Sequence, residues 1–223
     1  MLQIFKRTLL IGLLSLQAFA IQAQPFKNEI DAFKKKDSVS FPPKNAILLV
    51  GSSSFRKWTD VQDYFPKYHI INRGFGGSML PDVIRYADDV IFPYQPKQIL
   101  IYCGDNDLAS SDTVTAAMVI ARFKTLFELI RARMPDVPIG FVSIKPSPTR
   151  LRLASKMEEA NNGIKEFLKT KKKTSFIDVY HKMLDKDGAP MKDIFLEDNL
   201  HMNAKGYAIW QKVIQPYLLK SKK

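Results

Sequence analysis

The sequence contains little that could be cross-linked. Its single cysteine, Cys103, excludes an internal disulfide and leaves no thiol near the N-terminus to carry a lipid anchor. Histidine is nearly as scarce. His69, His181 and His201 are the only three, so few side chains could act as a base near neutral pH. There is no internal repeat, no low-complexity stretch, no second domain boundary and no nucleic-acid-binding module. What remains is a chain of 223 residues, a size that one α/β unit with a full core can account for.

The first residues follow a different pattern from the rest. Lys6 and Arg7 precede the apolar run 8–16, and small residues follow at Ala18, Ala20 and Ala23. A positive start, a short apolar stretch and a small-residue exit predict a secretory signal peptide over residues 1–23. Cleavage is expected after Ala23 or after Ala20. The alternative, a retained membrane anchor, is opposed by length, because the run is shorter than the ~20 residues that span a bilayer. The expected mature chain, 24–223, is one domain with a helical extension over 24–43 and no stable membrane insertion. Export without disulfides suits a bacterial periplasm or exterior.

The formal charge is +12, and removing the two basic residues of 1–23 leaves the remainder near +10. Such a surface attracts anions, including acidic glycans and lipid head groups. The densest basic run is Lys169, Lys171, Lys172 and Lys173. It falls where a helix is expected to end, and cations there complement the helix dipole.

Apolar runs at 46–50, 69–72, 98–102, 139–143 and 175–179 read as strands, several of them apolar at consecutive positions, as strands buried on both faces are. Helical patterns occupy 81–91, 114–133, 151–169 and 203–219. In the second, Met118, Ala121, Phe123, Leu126, Phe127 and Ile130 form the expected apolar face. Phe26, Ile30 and Phe33 have helical spacing ahead of the break at Pro42-Pro43. Alternating strands and helices predict a parallel sheet covered on both sides, with ligands at the carboxyl ends of the strands.

Four short segments at such ends carry chemistry. Gly51-Ser52-Ser53-Ser54 follows the first strand and offers the hydroxyl of Ser53. Gly74-Phe75-Gly76-Gly77 follows the second, where Gly77 can bring a backbone N–H close to a reacting atom. Gly104-Asp105-Asn106-Asp107 follows the third, and the Asn106 amide could stabilise an oxyanion, as could the N–H of Ser53. Asp198-Asn199-Leu200-His201 supplies an imidazole with a carboxylate three residues earlier to fix its tautomer. His69 sits in an expected strand and reads as structural, while His181 lies in a polar stretch with no motif nearby.

Together these four blocks resemble the SGNH hydrolases, also called GDSL esterases and lipases, over roughly residues 44–215. The first block is usually Gly-Asp-Ser. Here Ser52 replaces the Asp, and the Gly-Ser-Ser-Ser form resembles one branch of the family. The segment Ser143-Ile144-Lys145-Pro146-Ser147-Pro148 also looks like that branch, and no chemistry attaches to it.

The resemblance implies a flavodoxin-like three-layer α/β/α sandwich with a parallel sheet of about five strands. It implies Ser53, Asp198 and His201 as catalytic residues. Ser53, Gly77 and Asn106 would form the oxyanion hole, with Gly76 as the alternative register. It implies ester hydrolysis with neither metal nor organic cofactor. The expected substrate is a small-molecule or glycan ester bearing short acyl groups such as acetyl. The alternatives are a lysophospholipase-like lipid acylhydrolase and a non-catalytic carbohydrate-binding protein on the same fold. No nucleic-acid partner is expected.

Overall fold

Five short apolar runs become five parallel strands: β1 (Ile47–Gly51), β2 (Ile70–Gly74), β3 (Gln98–Tyr102), β4 (Ile139–Val142) and β5 (Thr174–Ile177), in the order β2-β1-β3-β4-β5. The computed structural model describes residues 25–220, so the expected signal peptide lies outside the described residues. β1, β3 and β4 are buried at every position, whereas β2 and β5, at the edges, are half-exposed in part. Strand ends differ from the sequence expectation by one or two residues. His69, for example, lies just outside β2 and is exposed, its carbonyl accepting the Ile47 N–H at 2.8 Å.

Among the described residues nine α-helices accompany the sheet: α1 (Lys27–Val39), α2 (Ser53–Arg56), α3 (Val61–Tyr64), α4 (Leu80–Arg85), α5 (Ala87–Val90), α6 (Asp105–Ser110), α7 (Ala116–Arg133), α8 (Ala154–Lys169) and α9 (Ala204–Ile214). Alternate strand residues face opposite ways and define two cores. Leu48, Val50, Ile99, Ile101 and Phe141 pack with residues of α1, α4, α5, α7 and α8. Ile47, Leu49, Leu100, Tyr102 and Ile177 pack with Phe55, Val61, Trp210 and Ile214 from α2, α3 and α9. This makes three layers. The step from β1 to β2 runs over one face and the return from β2 to β3 over the other, as right-handed crossovers require when the direction of winding reverses. That reversal opens a crevice between β1 and β3 at their carboxyl ends.

All four helical spans depart from the sequence reading in part. The span 151–169 opens as 3-10 helix and is α-helical from Ala154, and 203–219 is α-helical only to Ile214, with a 3-10 turn at Gln215–Tyr217. The span 81–91 is two pieces, α4 and α5, broken at Tyr86 (φ −100°, ψ 12°), whose buried ring donates its hydroxyl to Pro25 O at 2.7 Å. In α7 the buried face is Ala116, Val119, Phe123, Leu126, Phe127 and Ile130. Met118 and Ala121 point to solvent. Apolar residues line more than half of this helix, and the face carrying the large Phe and Leu side chains is buried, where each is worth about 1.5–3 kcal/mol.

The N-terminal helix is joined closely to the domain. Ile30 is buried in the first core. Arg73 pairs with Asp37 and donates from Nε to Tyr94 Oη at 2.6 Å, and that hydroxyl donates to Asp37 Oδ2 at 2.5 Å. Burial leads the effects that push the Tyr94 phenol up to about 12. Of the basic run, Lys169, Lys171 and Lys173 each meet a carboxylate, on Glu166, Glu128 and Asp136 respectively.

Candidate active site

At the end of β1 the chain must turn sharply beside β3. Gly51 has φ 134°, and a Cβ there would lie 1.9 Å from the Tyr102 carbonyl oxygen, so only glycine fits. Ser52 N–H is then held by Tyr102 O at 2.9 Å, and Ser53 becomes the first residue of the single-turn helix α2. The N–H of Ser53 finds no hydrogen-bond acceptor among the described residues, as expected at a helix start.

His201 is brought to Ser53 from the far end of the chain. Its Nε2 lies 3.1 Å from Ser53 Oγ, and its Nδ1 lies 2.6 Å from Asp198 Oδ2. A carboxylate can only accept, so Nδ1 carries the proton and Nε2 is left to accept from the serine hydroxyl. Asp198 is fixed by its own turn, where Oδ1 accepts the N–H groups of Leu200 at 2.9 Å and His201 at 2.8 Å. Partial desolvation raises its pKa, but the hydrogen bonds from the His201 ring and the two backbone N–H groups outweigh it. The carboxyl is held well below the usual carboxylate range.

Asn106, in the first turn of α6, spans the two glycine loops. Its Nδ2 donates to Ser52 Oγ at 2.6 Å and to Ser78 O at 3.1 Å, so the amide touches the neighbour of Ser53 and the neighbour of Gly77. Its Oδ1 accepts from Arg150 at 2.7 Å. Asp107, in the same block, faces inward. It accepts the Leu80 N–H at 3.0 Å and pairs with Arg122 at 2.8 Å, and burial leads the effects on its raised pKa.

The two glycines of the second block are no longer equivalent. Gly76 N–H is 3.2 Å from both carboxylate oxygens of Glu29, and Glu29 in turn pairs with Arg56 at 2.5 Å. Gly77 N–H has no acceptor among the described residues. Its φ of 74° suits glycine, and the nearest atom to a Cβ there would be on the Phe26 ring, 3.9 Å away. The geometry therefore favours Gly77 over Gly76 as an available donor. Glu29 and Phe26 come from α1 and its N-cap, within the expected helical extension over 24–43, to which the sequence assigns no chemistry. Their approach is tertiary and leaves no local signal.

His181 has a partner that the sequence reading missed. Asp178-Val179-Tyr180-His181 repeats the Asp-x-x-His spacing, with Asp178 Oδ2 2.7 Å from His181 Nδ1. This pair is exposed and touches no serine hydroxyl among the described residues. Lys145 is the opposite case, 1 % exposed, with burial first among the effects that push its ammonium down to about 8. Cys103 is wholly buried, and burial leads the effects that push its thiol up. Among the described residues no group of three or more His, Cys, Asp or Glu side chains could hold a metal ion.

A hydroxyl, an imidazole and a carboxylate in line, beside unpaired N–H groups at a sheet's switch point, describe a hydrolytic α/β protein. The GDSL-like lipase/acylhydrolase family model matches residues 45–209, and the chain belongs to that family, within the SGNH hydrolases. It is thus a hydrolase of the esterase and acylhydrolase kind. No curated protein sequence matches it.

Solved structures share the fold at low identity. A GDSL-like lipase from Bacteroides thetaiotaomicron is 20 % identical with a TM-score of 0.71, the alignment covering 84 % of this chain and 96 % of the other. A protein from Streptococcus pneumonia, described as a candidate platelet activating factor, is 21 % identical with a TM-score of 0.75, covering 86 % and 92 %. A catalytic mutant of an acetylxylan esterase from Geobacillus stearothermophilus is 12 % identical with a TM-score of 0.62, covering 78 % and 94 %.

Proposed function

We propose that this protein is an exported serine esterase that removes short acyl groups, such as acetyl, from carbohydrate through an acyl-Ser53 intermediate. The observation that carries the reading is the unbroken relay Ser53 Oγ, His201 Nε2 and Nδ1, Asp198 Oδ2, at 3.1 and 2.6 Å. In this reading Ser53 Oγ attacks the ester carbonyl while its proton moves to His201 Nε2. Asp198 stabilises the resulting imidazolium. The carbonyl oxygen becomes an oxyanion facing the N–H groups of Ser53 and Gly77, and the Asn106 amide turns to it the N–H that otherwise rests on Ser52 Oγ. Collapse expels the alcohol, which takes the proton from His201. Water then adds to the acyl-serine by the same path, releasing the acid and restoring Ser53.

The preference for short acyl chains rests on the sequence, in which no long hydrophobic lid segment is evident. Export rests on the pattern of residues 1–23. Among the described residues no helix is long and apolar enough to cross a membrane.

Hydrolysis of p-nitrophenyl esters of increasing length, together with acetylated xylo-oligosaccharides, tests the reading. Wild type should turn over acetyl esters fastest and Ser53→Ala should not, at unchanged melting temperature. His201→Asn should remove nearly all activity and His181→Asn little. Full activity in Ser53→Ala would place the nucleophile elsewhere. Preference for long chains would replace the substrate half of the reading with a lipid acylhydrolase. Fractionation of a bacterial host with N-terminal sequencing tests export, which requires a processed chain starting after Ala23 or Ala20 outside the cytoplasm.

A further inference from the structure

The segment between β4 and α8, conspicuous in sequence but without assigned chemistry, grips both halves of the site. Lys145 Nζ donates to Leu200 O at 2.7 Å. Thr149 Oγ1 donates to Asp198 O at 2.8 Å, and Thr149 N–H donates to Asn199 O at 3.2 Å. Three consecutive carbonyls of the turn that carries Asp198 and His201 are thus held from one segment. The next residue reaches the other way. Arg150 Nη2 donates to Asn106 Oδ1 at 2.7 Å, while its Nη1 lies 2.8 Å from Asp105 Oδ2.

We propose that residues 145–150 form a clamp in which Arg150 positions the Asn106 amide as oxyanion donor and Lys145 and Thr149 position the Asp198–His201 turn. The proposal rests on the esterase reading above. An amide can be flipped, and a flipped Asn106 would turn an oxygen lone pair towards the oxyanion. Two contacts forbid that here. A guanidinium only donates, so the atom facing Arg150 is the oxygen; the Ser78 carbonyl only accepts, so the atom facing it is the nitrogen. The hydrogen bond from Arg150 is charge-assisted and its side chain is 14 % exposed, so it also polarises the amide and strengthens its N–H groups as donors.

The fork of Arg150 suits this double task, and a lysine ammonium lacks that geometry. Arg150 sits between two stretches of 3-10 helix, where its own backbone (φ −112°, ψ 22°) leaves helical geometry.

A double-variant cycle on the processed protein, with p-nitrophenyl acetate as probe, tests the clamp. Arg150→Ala should lower kcat by about 10- to 100-fold, with KM within about threefold, below the ~10²–10³ of deleting a donor outright. The Arg150→Ala/Asn106→Ala pair should be no slower than Asn106→Ala alone, because Arg150 acts through Asn106. Arg150→Lys, which keeps the charge beside Asp105, should show the same split at wild-type melting temperature and serves if Arg150→Ala folds poorly. Thr149→Val should lower kcat several-fold and multiply with Asn106→Ala. Wild-type kcat in both Arg150 variants, or losses that multiply with Asn106→Ala, would overturn the assignment of Arg150 while leaving the esterase intact. A wild-type protein without Ser53-dependent turnover would overturn the esterase and the clamp together.

Discussion

Lys145 shows how a single side chain can make the energetics of the site visible. It is buried with one carbonyl as hydrogen-bond partner, and its pKa falls to about 8 from 10.5. Between those two values the unfolded chain holds a proton that the folded chain has released. Stability from this group therefore rises as pH climbs from about 8 to about 10.5, by a few kcal/mol at most. Chemical denaturation of wild type and Lys145→Met at several pH values should show the difference moving in favour of wild type over that window, and a flat difference would show that the amine is solvated. Asp198 has the opposite sign. Its lowered pKa favours the folded state above the ordinary carboxylate range and stops doing so as pH falls towards the folded value.

Legibility at this scale follows sequence distance. Ser53, Asn106, Asp198 and His201 stand in short segments after apolar runs, so their chemistry can be read locally. Glu29 and Arg150 meet their partners across 47 and 44 residues, and no local pattern records such a meeting.

Among the elements, α1 departs most from its sequence appearance. Its amphipathic spacing announces a helix, but not that Glu29 satisfies the Gly76 N–H or that Phe26 stacks edge-on against Phe75 at 5.3 Å. Glu29→Ala should leave the Gly76 N–H without its carboxylate and free Arg56, costing roughly 1 kcal/mol of stability. It should also lower kcat, because the Gly77 donor is then held less firmly. Denaturant titration and esterase kinetics together check this, and unchanged kcat would show that the loop holds its shape without α1. The strands were the easiest elements to read because consecutive burial admits few alternatives. The break at Tyr86 was hidden because nothing within the span 81–91 shows that a distant carbonyl, that of Pro25, waits for the Tyr86 hydroxyl.

For the molecule as a whole, charge and topology act together. The parallel strands bring the loops after β1, β2 and β3 to one edge, the edge that strand–helix alternation alone assigns to ligands, and the winding reversal between β1 and β3 opens the crevice there. The excess of cations, near +10 for residues 24–223, acts over longer distances. Raising ionic strength from about 0.01 to about 0.5 M should lower kcat/KM several-fold for an acetyl ester on an acidic sugar and leave a neutral ester within about twofold. Equal salt sensitivity for both would show that the field does not steer substrate.

Cys103, sealed at the end of β3, gives the molecule one more property. The folded protein presents no sulfhydryl to maleimide chemistry. A cysteine introduced by mutation on the outer side of α1, and another near the base turn, would become the sole attachment points for a pair of fluorescent dyes. The spacing between those two parts of the chain could then be followed during turnover without first redesigning the native sequence.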